Sequence, residues 1–123
     1  FETETDIITG TRSWKLPTDD NFSDEDRKIY EREKIRIGLC AKALEEADPE
    51  HAKRRVLMLH FPPLTSRVPN TELSEIIEGS GIDLCIYGHL HGKAHKKVYE
   101  GQKGNTEYKC VSADYLGFRP IEL

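Results

Sequence analysis

Val56-Leu57-Met58-Leu59-His60 and, further on, Ile82-Asp83-Leu84-Cys85-Ile86-Tyr87-Gly88-His89-Leu90-His91-Gly92 are the stretches that decide the fold. Both apolar runs are short and lack alternation. A helix-bearing connection of about twenty residues separates them, the signature of neighbouring parallel strands with a crossover helix. Each run ends in histidine. In an open α/β sheet, ligands bind at the carboxyl ends of the strands, so strand pairing is expected to bring His60, His89 and His91 to one edge. Neutral imidazole ligates zinc, iron, nickel and copper. Gly88 and Gly92 flank the pair and are expected to let the backbone turn there. One strand-end histidine reads as a polar cap; three at two adjacent strand ends read as a metal site.

Upstream, Thr5-Asp6-Ile7-Ile8-Thr9-Gly10 predicts a short strand stopping at glycine, followed by the loop Thr11-Arg12-Ser13-Trp14. Ser23 before Asp24-Glu25-Asp26 is an N-cap followed by acidic residues, where the helix dipole favours negative charge. Tyr30, Ile37, Ala41, Leu44 and Ala47 then carry a helical period, and Glu31, Arg32, Glu33, Lys34 and Arg36 are assigned to its wet face. Between the two runs a second helix is predicted over Asn70 to Glu78, closed by Gly79 and Gly81. Beyond Gly92 a β-hairpin is predicted, with arms Val98-Tyr99 and Tyr108 to Val111 around Gly101 and Gly104. A last strand is placed at Phe118 to Leu123.

At 123 residues the chain has the length of one domain. With 18 Lys+Arg against 22 Asp+Glu, its net charge of −4 argues against generic nucleic-acid binding, which needs a basic face. No apolar run is long enough to span a bilayer and no signal-peptide pattern opens the chain, so no membrane association is expected. Cys40, Cys85 and Cys110 form no C-x-x-C pair and predict packing residues in a reducing, cytoplasmic setting. The chain begins with Phe1 and its one methionine is Met58, which agrees with a start inside a longer reading frame.

Other H-x-H chemistries fit poorly. Lys93 stands where a histidine triad needs its third His, and Lys93 and Ala94 occupy the Asp and His positions of H-x-H-x-D-H. An amidohydrolase barrel needs roughly 250 residues. Gly88-His89-Leu90-His91, downstream of a strand ending in His60, resembles the last two motifs of calcineurin-like metallophosphoesterases. Leu59-His60-Phe61-Pro62-Pro63 matches the form those histidine loops take. The likeness is good from Val56 to Leu123 and loose before it.

The resemblance implies an α/β fold, part of a four-layer αββα sandwich, with a mixed sheet and a carboxyl-terminal hairpin. It implies two divalent metal ions (manganese, iron, zinc or nickel), with His60 and His89 on one and His91 on the other. The implied reaction is hydrolysis of a phosphomonoester or phosphodiester by in-line attack of a dimetal-bound hydroxide. The family's early motifs, D-x-H, G-D-x-x-D and G-N-H-D/E, have no counterpart here. The chain therefore resembles the carboxyl-terminal half of the domain and holds no catalytic residue of its own. The missing amino-terminal half, or a partner chain, is expected to supply the other ligands. Two divalent ions about 4 Å apart repel by roughly 17 kcal/mol at an effective dielectric of about 20, which neutral imidazoles cannot offset. The chain alone is expected to bind at most one metal, weakly, and to expose an apolar sheet face needing cover.

Arg12, Lys93 and His95 are further candidates for touching substrate, with Trp14, Lys96 and Lys97 beside them. Surface packing is the plainer role for Arg12 and Trp14, and a solvated hairpin edge is the alternative for Lys93, Lys96 and Lys97. Asp83 and Asp114 are candidates for orienting ligand imidazoles, and His51 is expected to be exposed. Two other functions compete with the enzyme: a non-catalytic binding module, and a single-metal structural site that would be closed and four-coordinate.

Overall fold

The computed structural model describes all residues, Phe1 to Leu123. Five strands form one mixed sheet: β1 (Asp6–Thr11), β2 (Arg54–Leu59), β3 (Leu84–Tyr87), β4 (Gly101–Lys103) and β5 (Thr106–Cys110). Their order is β1-β2-β3-β5-β4. β1, β2, β3 and β5 run parallel, and β4 returns antiparallel to β5 at the edge. Two helices cross over between the first three strands, α1 (Asp24–Ala47) and α2 (Glu72–Glu78).

α1 starts where its cap predicts. The Ser23 hydroxyl accepts from the Asp26 amide, and the Asp26 carboxylate accepts from the Ser23 amide in return. Such reciprocal caps are worth about 1 kcal/mol. Thr71 and Ser74 make the same box on α2, so that helix begins two residues later than predicted. Both helices pack on one face of the sheet. There Ile37, Ala41, Leu44, Leu73 and Ile77 meet Leu57, Leu59, Cys85, Tyr87 and Tyr108 in a single core.

The other face carries no helix. Strand alternation sends Val56 and Met58 of β2 and Leu84 and Ile86 of β3 to it. Val56, Leu84 and Ile86 make a small cluster with Ile8 and Val111. Met58 remains 47% exposed in mid-strand. β3 is buried throughout, as a doubly covered strand should be, but β2 is not.

Several boundaries differ from the sequence pattern. β1 runs through Gly10 rather than stopping there, because strand contact is so close that a Cβ would stand 2.5 Å from the Met58 carbonyl oxygen. Val98-Tyr99 is not a hairpin arm. The Tyr87 phenol bonds both the amide and the carbonyl of Tyr99 and takes them out of any ladder. The arm is instead Gly101–Lys103, preceded by a 3-10 helix over Gly92–Lys97 that the pattern did not indicate. No strand forms over Phe118 to Leu123. Its lead-in is a tight turn, with the Phe118 amide on the Ala113 carbonyl, and both sheet edges lie elsewhere. No helix is long and apolar enough to cross a membrane.

Candidate metal centre

β2 and β3 are paired with Leu59 opposite Tyr87, so their carboxyl ends finish side by side. One step on, the Gly88 amide donates to the His60 carbonyl at 3.2 Å. The loop after β1 is fastened to the same place, because the Arg12 carbonyl accepts from both the His60 and Phe61 amides.

The sharp turn after β3 is made by a residue that resists it. Gly88 has an ordinary backbone, and it is His89 that adopts φ +69°. A left-handed conformation costs an L-residue roughly 1–2 kcal/mol, and strain of this kind gathers at functional sites. The turn is tight enough for the Leu90 amide to reach the Gly88 carbonyl at 2.8 Å. It aims the His89 ring at His60, with Nδ1 of His89 3.2 Å from Nε2 of His60 and the ring planes 73° apart.

Two nitrogens sharing a tetrahedral zinc, each about 2.05 Å from it, stand about 3.3 Å apart. The two nitrogens share a hydrogen bond, and its length is also close to the spacing of two ligands on one ion. Burial first, then the neighbouring His60 and His91, hold the His89 imidazole below the usual histidine range. That favours the neutral, ligating form.

His91 is not the third member of this pair. Its Nδ1 donates to Asp114 Oδ1 at 2.7 Å, while the other Asp114 oxygen accepts from the Gly92 amide. The Gly92 amide first, then His91, hold the Asp114 carboxyl well below the usual range. With Nδ1 so engaged, His91 presents Nε2 outward, the arrangement that commonly orients a ligating histidine. Asp114→Ala is expected to leave binding of the one ion at His60 and His89 unchanged and to lower affinity for a second ion about 10–100-fold, measured by titration of the wild type and the variant in the presence of the polypeptide that supplies the missing ligands.

The remaining candidates divide. His95 Nε2 lies 3.1 Å from Asp114 Oδ2 but off the hydrogen-bonding direction, and its ring meets Tyr115 rather than His60 or His89. Arg12 is exposed and stacks its guanidinium 4.3 Å above the Trp14 ring. Lys93 is exposed in the 3-10 helix and forms no ion pair. Asp83 lies before β3, at the opposite end of the sheet. There it binds His51 at 2.7 Å and the Arg55 amide, so it orients no candidate ligand. His51 is exposed, as expected.

A supporting residue was hidden in the charge run of α1. Glu33 is 1% exposed, not part of the wet face. Its Oε2 accepts from the Thr11 hydroxyl at 2.8 Å and the Ser13 amide at 3.0 Å, and its Oε1 from Arg36 at 2.6 Å. Ser13 is fully buried at φ +61°, so this carboxylate holds a strained loop in place. Asp26, also buried, accepts from the Trp14 indole at 3.0 Å. The seven-residue gap between Tyr30 and Ile37 was the available signal, because Glu33 falls on that apolar stripe.

The residues present thus fit one cation at His60 and His89, with His91 a separate donor. They do not fit two, since no carboxylate lies between them. No group of three or more His, Cys, Asp or Glu side chains is gathered to hold a metal ion. Comparison with protein-family models, curated proteins and solved structures gave no match.

Proposed function

We propose that this chain is part of a metal-dependent phosphoesterase resembling the calcineurin-like enzymes, acting on a phosphomonoester or phosphodiester. One observation carries the reading: the 3.2 Å His60–His89 nitrogen pair at the ends of adjacent parallel strands. A divalent cation supplies Lewis acidity and charge neutralisation to phosphoester hydrolysis. His60 and His89 are the residues that would hold one such ion, and His91, oriented by Asp114, is the donor toward a second. Manganese, iron, zinc and nickel all suit imidazole and carboxylate donors.

The helix-free sheet face supports the remainder of the proposal. Helices cover one side of the sheet only, which supports this reading because an αββα sandwich packs two such sheets face to face; the exposed Met58 lies on the face where the second sheet would pack. The amino-terminal half, or a partner chain, would cover this face and bring the bridging carboxylates. The lack of a three-ligand cluster within the chain favours a second reading, a non-catalytic binding module on the same scaffold.

Calorimetric titration of the chain with Mn²⁺ is expected to show at most one ion bound, weakly. Hydrolysis of p-nitrophenyl phosphate and its bis-ester by the chain alone is expected to be absent. Turnover without added polypeptide would overturn the division of the site. Activity appearing only on addition of a polypeptide that carries the missing ligands would decide against the binding module.

A further inference from the structure

We propose that the outer edge of β1 is a docking site for one more antiparallel strand, formed by polypeptide that leads into Phe1. This attachment rests on the reading above that an amino-terminal half completes the domain, and it specifies where that half joins the sheet.

The two edges of the sheet are unlike. β4 is three residues long, a common way to discourage strand pairing. β1 is six residues long and carries no lysine or proline that would deter a partner. The Thr5 carbonyl accepts from the Arg54 amide of β2. By strand alternation Ile7, Thr9 and Thr11 also turn their backbone groups to β2, while Asp6, Ile8 and Gly10 turn theirs outward. Two of these outward residues are already engaged. The Thr3 amide donates to the Asp6 carbonyl at 2.8 Å. The Ile8 amide donates to the Phe1 carbonyl at 2.8 Å, and the Phe1 nitrogen donates to the Ile8 carbonyl at 3.0 Å. Gly10 is exposed, has no side chain to shield its backbone, and has no such partner.

The existing bonds fix the register of the next rung. Phe1 and Ile8 exchange both bonds, and Glu2 stands opposite Ile7, so Phe1 to Thr3 already run antiparallel to β1. Each step upstream of Phe1 then matches one step downstream of Ile8. The second upstream residue meets Gly10 and can exchange both bonds with it. The fourth stands beside Arg12, whose carbonyl holds the His60 and Phe61 amides. The added strand therefore comes from the edge of the sheet where His60 and His89 lie, the edge at which the missing carboxylates are needed. A second copy or a foreign peptide would find the Asp6 and Ile8 rungs taken. A segment continuous with Phe1 is held in register before it pairs, at high effective concentration.

Hydrogen exchange of the Gly10 amide, followed by NMR, tests this in two chains: the 123 residues alone, and the same chain with the residues its reading frame encodes upstream. Exchange at Gly10 is expected to be unprotected in the first and at least about tenfold slower in the second. The longer chain should also show an Hα–Hα contact between Thr9 and the residue directly before Phe1. A proline at the second upstream position has no N–H for the Gly10 carbonyl, and should return exchange to within about threefold of the shorter chain. An unprotected Gly10 in the longer chain, or a Thr9 contact with any other segment, would overturn the proposal. So would protection in the shorter chain that grows with its concentration, which would place a second copy at this edge. Gly10 protection without metal binding at the histidines keeps the strand and removes the phosphoesterase. Metal-dependent turnover by the longer chain with Gly10 still open removes only the strand.

Discussion

Glu33→Ala is expected to destabilise the fold by about 3 kcal/mol, read as a lower urea midpoint at unchanged slope. The cause is not the ion pair with Arg36, whose side chain is 56% exposed and whose partnership is screened by water. It is the Ser13 amide, buried at a left-handed residue, which would lose its acceptor with no water to replace it. Thr11 would lose its partner too. Glu33→Gln keeps one acceptor oxygen and should recover part of the loss. Because the same loop carries Arg12 and Trp14, the alanine variant should also shift Trp14 emission to the red. A loss below about 0.5 kcal/mol would show that the loop holds itself.

His89→Gly is expected to separate stability from binding. Glycine takes φ +69° without the Cβ penalty, so the variant should unfold no more easily than the wild type, and up to about 1 kcal/mol less easily. It removes one of the two nitrogens that face each other at 3.2 Å. Metal affinity should then fall by more than about 100-fold, beyond what loss of a merely orienting residue costs. Chemical denaturation and metal titration on the same sample check both halves. A variant that binds metal as before, or that loses several kcal/mol, would show that the strained turn serves packing instead.

What the sequence revealed and what it concealed follow from how local each signal is. The β2–α2–β3 unit was legible because two unalternated apolar runs bounded by His and Gly leave few alternatives to a parallel pair. The start of α1 was legible because Ser23 and Asp26 lie three residues apart and close their own bonds. Tyr99 was misplaced because its partner, the Tyr87 phenol, is 12 residues away and only the fold brings them together. The same holds at the site. Strand-end position was enough to bring His60 to His89, and Asp114 was a candidate for orienting an imidazole, but that the imidazole is His91, 23 residues away and turned from the other two, emerges only in the fold. The flanking glycines pointed to Gly88 and Gly92 as the hinges; Gly92 does turn, at φ +53°, but at the other end the left-handed torsion falls on His89 instead of Gly88. Buried Glu33 read as surface because acidic residues in a charged helix usually are.

The most direct measurement is the response of the histidine ring ¹⁵N signals to Zn²⁺. Nε2 of His60 and Nδ1 of His89 should shift together and saturate with a single ion per chain, while His51, at the far end of the sheet, stays unmoved. Unchanged signals from residues 60 and 89, or a first response at His51, would contradict the assignment.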